Sequence, residues 1–166
     1  MPLQQSTAQS PLGELVLLAR QGTLLSLIWS DRLPATERHI HRHMGAWAVE
    51  KVDEIPGWSK ALHAYFEGHP DPFVDLPLAP PGTSFQRTVW DALRRVPTGA
   101  TCSYRMLAES IGRPTACRAV ANANGKNPMP IVVPCHRVIA SDGGLGGFSA
   151  GLDRKRWLLR HEGQAL

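Results

Sequence analysis

The stretch Ile131-Val132-Val133-Pro134-Cys135-His136-Arg137-Val138-Ile139 is the one around which this chain is organised. Three branched apolar residues predict a buried strand, and Pro134 interrupts its ladder of donors just before Cys135. A thiol at such a break is placed to react. Cysteine reacts as the thiolate, and an ordinary pKa of about 8.5 leaves only a few per cent of it at neutral pH. His136 and Arg137 follow at once; the imidazole can take the proton and the guanidinium can favour the anion. Lowering the thiol pKa by about 1.5 takes about 2 kcal/mol, within reach of one or two such neighbours. Neighbouring residues of an extended segment face opposite ways, so His136 reaches Cys135 through a water or a bend. The competing reading is a buried, inert thiol, since free cysteine is among the most buried residue types.

Upstream of this stretch the pattern is helical. Thr83 and Gln86 stand at capping-box spacing, and Phe85, Val89, Leu93 and Val96 recur on one face until Pro97 ends the helix. Ser103 caps a second helix that runs to Ile111 and stops at Gly112, and Pro114 with Thr115 starts a third that runs to Ala123 ahead of Gly125. The last two, joined by Gly-Arg-Pro, form a helix-turn-helix candidate. Its second helix presents Arg118 from a surface of small residues, among them Ala116, Cys117, Ala119, Asn122 and Ala123. Such a surface suits approach to a nucleic-acid groove or packing against another helix. Downstream, Ser141 to Gly151 carries five glycines with Phe148 and Ser149, a loop suited to contouring a ligand. Asp153 to His161 is a final helix, apolar at Trp157 and Leu158, with Glu162 near its end.

The N-terminal half reads differently. Leu12 to Arg20 and Thr23 to Trp29 are apolar runs around Gln21-Gly22, a hairpin with imperfect alternation. Ala35 to Trp47 is helical or irregular and holds His39, His41 and His43, of which only His39 and His43 share a helical face; a solvated polar face fits better than a metal site. Pro56 opens a helix to Phe66, burying Leu62, Tyr65 and Phe66, with Gly68 as its stop. From His69 to Gly82 come five of the fourteen prolines, an extended linker with a short strand at Phe73 to Leu76. The domain boundary is placed near residue 82, where charge also changes sign: six Lys/Arg against nine Asp/Glu before it, twelve against five after it, or −3 and +7. A basic half that carries the candidate nucleophile points to a polyanionic partner, nucleic acid ahead of an anionic membrane.

The 166 residues suit one domain or two small ones, and 43% hydrophobic residues suffice for a core. No apolar run has transmembrane length, and Met-Pro-Leu-Gln-Gln-Ser lacks the basic start and apolar centre of a signal peptide, so a cytoplasmic protein is expected, nucleoid-associated if the source is bacterial. Cys102, Cys117 and Cys135 are an odd number with no close pair, which fits free thiols in a reducing compartment.

Taken together, Pro134-Cys135-His136-Arg137-Val138, Arg118-Ala119-Val120, Asn127-Pro128 and Trp157-Leu158-Leu159 leading to His161-Glu162-Gly163 resemble the O6-alkylguanine-DNA alkyltransferases over about residues 83 to 163. The resemblance implies an α/β (α+β) fold, with a small N-terminal ribonuclease-H-like β-sheet domain (1–82) that supports a helical, winged-helix-like DNA-binding domain (83–166) carrying the active cysteine. It implies direct reversal repair, in which an alkyl group passes from O6 of guanine, and from O4-methylthymine, to Cys135. The thioether formed has no good leaving group, so each molecule acts once. It further implies that Cys135 is linked through water to His136, that Glu162 holds the other ring nitrogen, and that Arg137 is a structural and electrostatic support. The target nucleotide must leave the duplex stack. Arg118 would fill the vacated place and Tyr104 would crowd the phosphate and donate to the guanine ring; Arg105, Arg113 and Ser141 complete the implied DNA-binding set. Asn127 would be a hinge for the active stretch, Ser149 a donor to O6, and the carbonyls of Cys135 and Val138 acceptors for the exocyclic amine, with Phe148 and Lys155 also in the pocket. No metal or cofactor is implied, and the partner is double-stranded DNA containing O6-alkylguanine, bound by a monomer without a membrane. Phe148 stands where the family usually has tyrosine, leaving stacking alone, and Ala150 where glycine is frequent, which narrows the pocket toward small alkyl groups. The alternatives are a sensor that binds alkylated DNA without repairing it and a turning-over cysteine hydrolase.

Overall fold

Gln21 and Gly22 turn the chain because both take positive φ, 51° and 81°, the backbone of a primed two-residue hairpin turn whose twist matches its strands. They join β2 (Gly13–Arg20) to β3 (Thr23–Trp29) in the computed structural model, which describes residues 1–165. The imperfect alternation has a physical cause: Leu15 to Ala19 and Leu24 to Trp29 are buried at every position, so both faces of these strands are covered. A register shift at Leu18/Ala19 leaves Leu25 as the extra residue between Leu24 and Ser26.

The chain divides into two compact units, Met1–Gly82 and Thr83–Leu166. In the first, β1 (Leu3–Ser10) pairs antiparallel with β2 and parallel with β4 (Val49–Lys51), giving the sheet order β3-β2-β1-β4. Neither β1 nor β4 was expected from sequence. Of β1 only Leu3 and Ser6 are buried, so its place comes from two backbone ladders rather than an apolar pattern. Helix α1 (Leu33–Met44) has Pro34 in its first turn and ends at Gly45, φ 74°. A solvated histidine face is corrected at His39, which is buried with Nε2 2.8 Å from the Pro81 carbonyl; exposed His41 stacks on Trp47 at 3.9 Å. Helix α2 (Trp58–Phe66) starts after Gly57 rather than at Pro56, and buries Trp58, Ala61, Leu62 and Tyr65. Phe73 to Leu76 is not a strand. Phe73 packs on Trp58 and Tyr65, with centroids 6.1 and 5.8 Å away, in a run of turns, and the strand-like pairing falls later, at Leu78 with Leu24.

In the second unit the Thr83/Gln86 box is made in both directions, at 3.1 and 2.9 Å, and opens α3 (Ser84–Leu93). Ser103 Oγ accepts the Met106 N–H at 3.0 Å and opens α4 (Tyr104–Ser110). Helix α5 (Cys117–Gly125) begins later than expected, because Pro114 and Thr115 lie in the turn that precedes it. Trp90 on α3 is 1% exposed and donates its indole N–H to the Ala123 carbonyl at 2.9 Å, fastening α5 to α3. A two-residue parallel ladder joins β5 (Cys102–Ser103) to β6 (Val138–Ile139), and α6 (Leu152–His161) closes the unit. The architecture is therefore α/β, a sheet unit followed by a helical unit. Among the described residues no helix is long and apolar enough to cross a membrane.

Candidate active site

The expected strand at Ile131 to Val133 is not formed, although all three residues are buried. The segment is a chain of turns: Val133 N–H donates to Met129 O at 3.0 Å, Cys135 N–H to Val133 O at 2.8 Å, and Arg137 N–H to Pro134 O at 3.0 Å. Pro128, Pro130 and Pro134 bring no donors, so a ladder could not have been satisfied here. Ile131 takes φ 78°, a strained conformation for a branched residue that costs on the order of 1–3 kcal/mol and persists only where its surroundings impose it. Asn127 imposes much of it: its Nδ2 donates to Val133 O at 2.8 Å and its Oδ1 accepts from Met129 N–H at 3.0 Å. The turns end in one 3-10 turn, Cys135–Arg137, whose three side chains are all buried.

Burial dominates the thiol. It pushes Cys135 up to about 11, against a hydrogen bond from Asn127, the charge of Lys155 and nearby backbone donors. The expectation that adjacent His136 and Arg137 lower its pKa below the ordinary value is corrected: desolvation outweighs every neighbour, and Arg137 points its charge elsewhere. Arg137 Nε donates to Glu162 Oε1 at 2.8 Å and Nη2 to Glu162 Oε2 at 3.1 Å, while Nη1 reaches Val96 O at 2.6 Å and Nη2 reaches Thr98 Oγ1 at 3.1 Å. Glu162 Oε2 also stands 2.7 Å from His136 Nε2. Burial pushes this carboxyl up, but the His136 and Arg137 hydrogen bonds and charges prevail and hold it at about 2. Burial lowers the pKa of His136 in spite of Glu162, so the resting ring is neutral. An ionised carboxylate fixes the tautomer: Nε2–H donates to Glu162, and Nδ1, buried and without a hydrogen-bond partner among the described residues, is the accepting nitrogen.

Further groups gather at the same place. Lys155 is fully buried, donates to Val138 O at 2.7 Å and Gly147 O at 2.9 Å, and is pushed down to about 8 by burial, against the pull of Cys135. Its ammonium ties the turn after the thiol to the glycine loop. A side chain at Gly146, φ 70°, would meet Lys155 Nζ and the Tyr104 ring, both at 3.7 Å, so the loop backbone runs close to both. The Tyr104 phenol is raised by burial and by Cys135, and is hydrogen-bonded by Asn124. Asn124, 5% exposed on α5, also reaches the Cys135 carbonyl with Nδ2 at 3.5 Å. Sequence reasoning missed Asn124, and missed Val96 and Thr98 as anchors of Arg137; neither contact leaves a local pattern.

The chain's relatives bear on this arrangement directly. Residues 84–164 match the family described as 6-O-methylguanine DNA methyltransferase, DNA binding domain. The methylated-DNA–protein-cysteine methyltransferase of Shigella flexneri is 41% identical over 99% of this chain and 98% of its own length, and that of Methanosarcina barkeri is 53% identical over 93% of each. This chain belongs to the methylated-DNA–protein-cysteine methyltransferase family. The likeness extends to the fold: Mycobacterium tuberculosis OGT in complex with DNA superposes with a TM-score of 0.81 at 39% identity, covering 96% of this chain and 92% of that one.

For a methylated-DNA–protein-cysteine methyltransferase, the structure brings Cys135, His136, Glu162, Asn127, Tyr104, Val138 and Lys155 together. Most of the other residues expected from sequence are exposed. Arg118 is exposed near the start of α5. Arg105 is exposed and paired with Glu109 at 3.2 Å on its own helix, and Arg113 lies over the Phe85 ring at 5.6 Å. Ser141 and Ser149 are exposed, and Phe148 half-buried, on the loop between β6 and α6.

Proposed function

We propose that this protein reverses alkylation damage directly, moving the alkyl group of O6-alkylguanine in double-stranded DNA to Cys135 in a single irreversible turnover. One observation carries the reading: a buried thiol next to a histidine whose Nε2 is held by an ionised Glu162 and whose Nδ1 is left to accept a proton. The thiol proton passes through a water to His136 Nδ1, Sγ attacks the alkyl carbon, and the C–O6 bond breaks with its electron pair going to the base. Tyr104 supports the departing guanine by donating to its ring. A thiolate is costly in this desolvated place until the proton moves and the electrons are delivered, so the resting protein is protected from stray electrophiles. The product is a thioether, which explains the absence of a second cycle. By the same reading the protein acts as a monomer, O4-methylthymine is a second substrate, and Arg118 on the small-residue helix α5 enters the duplex where the flipped base has left.

Intact-mass spectrometry after incubation with DNA containing O6-methylguanine tests this. One added methyl mass, located on the peptide that holds Cys135 and absent in Cys135→Ala, is expected, with DNA binding retained in that variant. Binding without any mass gain would make the protein a sensor, and more than one equivalent of repaired base per protein would make it a turning-over enzyme.

A further inference from the structure

Every guanidinium nitrogen of Arg137, two residues on from Cys135, is hydrogen-bonded. Arg137 is 5% exposed and makes four hydrogen bonds, two to Glu162 and one each to Val96 and Thr98. Glu162 Oε2 is shared: it takes Arg137 Nη2 at 3.1 Å and His136 Nε2 at 2.7 Å. A carboxylate facing a histidine alone favours imidazolium and would leave Nδ1 already protonated. A carboxylate whose charge is largely met by a forked guanidinium still orients the ring but pulls on its proton less. We propose that Arg137 is a positioning residue that meets the charge of Glu162, so that Glu162 sets the tautomer of His136 without charging the ring. Through Val96 and Thr98 the same side chain anchors this carboxylate to the segment between α3 and β5.

The charged groups facing His136 are Glu162 at the end of α6, Arg137 on its own turn and Lys155 on α6; the two cations oppose protonation and the carboxylate favours it. The sign follows. Removing the Arg137 charge makes His136 easier to protonate, so the accepting form of Nδ1 is lost at higher pH than in the wild type. Arg137→Lys keeps the charge but cannot fork across both carboxylate oxygens.

The inference rests on the reading of Cys135 as alkyl acceptor for its kinetic arm only. The rate of Cys135 alkylation by free O6-benzylguanine is followed from pH 5 to 9 for the wild type, Arg137→Lys, Arg137→Gln and Arg137→Met, each checked for folding by thermal denaturation. The neutral variants are expected to move the acid limb upward by about one pH unit, with Arg137→Lys near the wild type. Profiles that superimpose after scaling would reduce Arg137 to scaffolding, and a lysine variant shifted as far as the neutral ones would remove charge as the cause. Separately, 15N spectra of histidine-labelled, unreacted wild-type protein, with His136 assigned by its loss in His136→Gln, should show the neutral Nε2–H form at pH 7. Imidazolium or Nδ1–H there would overturn the proposal even if the neutral variants do not fold. Failure of the wild type to be alkylated would instead strike the functional reading, leaving the spectrum to judge Arg137.

Discussion

At the scale of single residues, Glu162 links stability to pH. Its pKa of about 2 in the folded chain lies below the ordinary carboxyl value, so between about pH 4.5 and 2 the unfolded chain binds the proton and the folded one does not. Its stabilisation is thus present above that window and lost as pH falls through it. Acid denaturation curves of the wild type and Glu162→Gln should converge toward pH 2 and separate above pH 5, with the variant less stable there because Arg137 is left buried beside a neutral amide. The thiols offer a second measurement. Cys135 is 4% exposed and raised to about 11, whereas Cys117 is half-buried near the start of α5. Iodoacetamide at pH 8 should therefore label Cys117 first, by at least about tenfold over Cys135 in the absence of substrate; faster labelling of Cys135 would contradict a protonated resting thiol.

At the scale of elements, Trp90 does for α5 what no residue of α5 does for itself. Its indole bonds the Ala123 carbonyl in the last turn of that helix at 2.9 Å, beside the Lys126 N–H that the same carbonyl accepts at 3.1 Å, and so ties the helix end to α3. Trp90→Phe should cost about 1–3 kcal/mol in urea denaturation, combining lost volume with the loss of one buried hydrogen bond to a carbonyl that keeps the Lys126 N–H. Thr83→Ala should cost about 1 kcal/mol through loss of the capping box that opens α3. Arg118 is exposed on α5, and the proposed function gives it a contribution only when DNA is present. Arg118→Ala should lower repair of duplex substrate at least about tenfold while changing reaction with free O6-benzylguanine little, and equal losses on both would count against its entry into the duplex. The capping boxes, the helix-stopping glycines and the hairpin turn were legible because each is a local device with its own residue signature. Strand β1 was not, since its Gln, Ser and Thr residues follow no period and its position is set by the neighbours on either side. The segment at Ile131 to Val133 misled for the opposite reason: branched apolar residues mark burial, and here burial comes with turns that prolines and Asn127 enforce.

At the scale of the whole chain, charge is the clearest property. The net +7 of residues 83 to 166 predicts that affinity for duplex DNA falls steeply with salt, roughly 10- to 100-fold between about 50 and 200 mM, as phosphate contacts release counterions. Fluorescence anisotropy across that range checks this, and salt-independent affinity would remove the electrostatic basis for DNA binding. Sequence alone determined the candidate nucleophile, the family, the boundary near residue 82 and the succession of helices around Cys135, because motif spacing, caps, prolines and charge are all properties of neighbours along the chain. Only the tertiary structure decided the chemistry of the site. The desolvation of Cys135, the neutral ring of His136, the division of Glu162 between two donors, and the convergence of Lys155, Asn124 and Tyr104 depend on burial and on distances between residues far apart in sequence. Proximity along the chain suggested that Arg137 would act on the thiol beside it, whereas folding turned its guanidinium to a carboxylate 25 positions away.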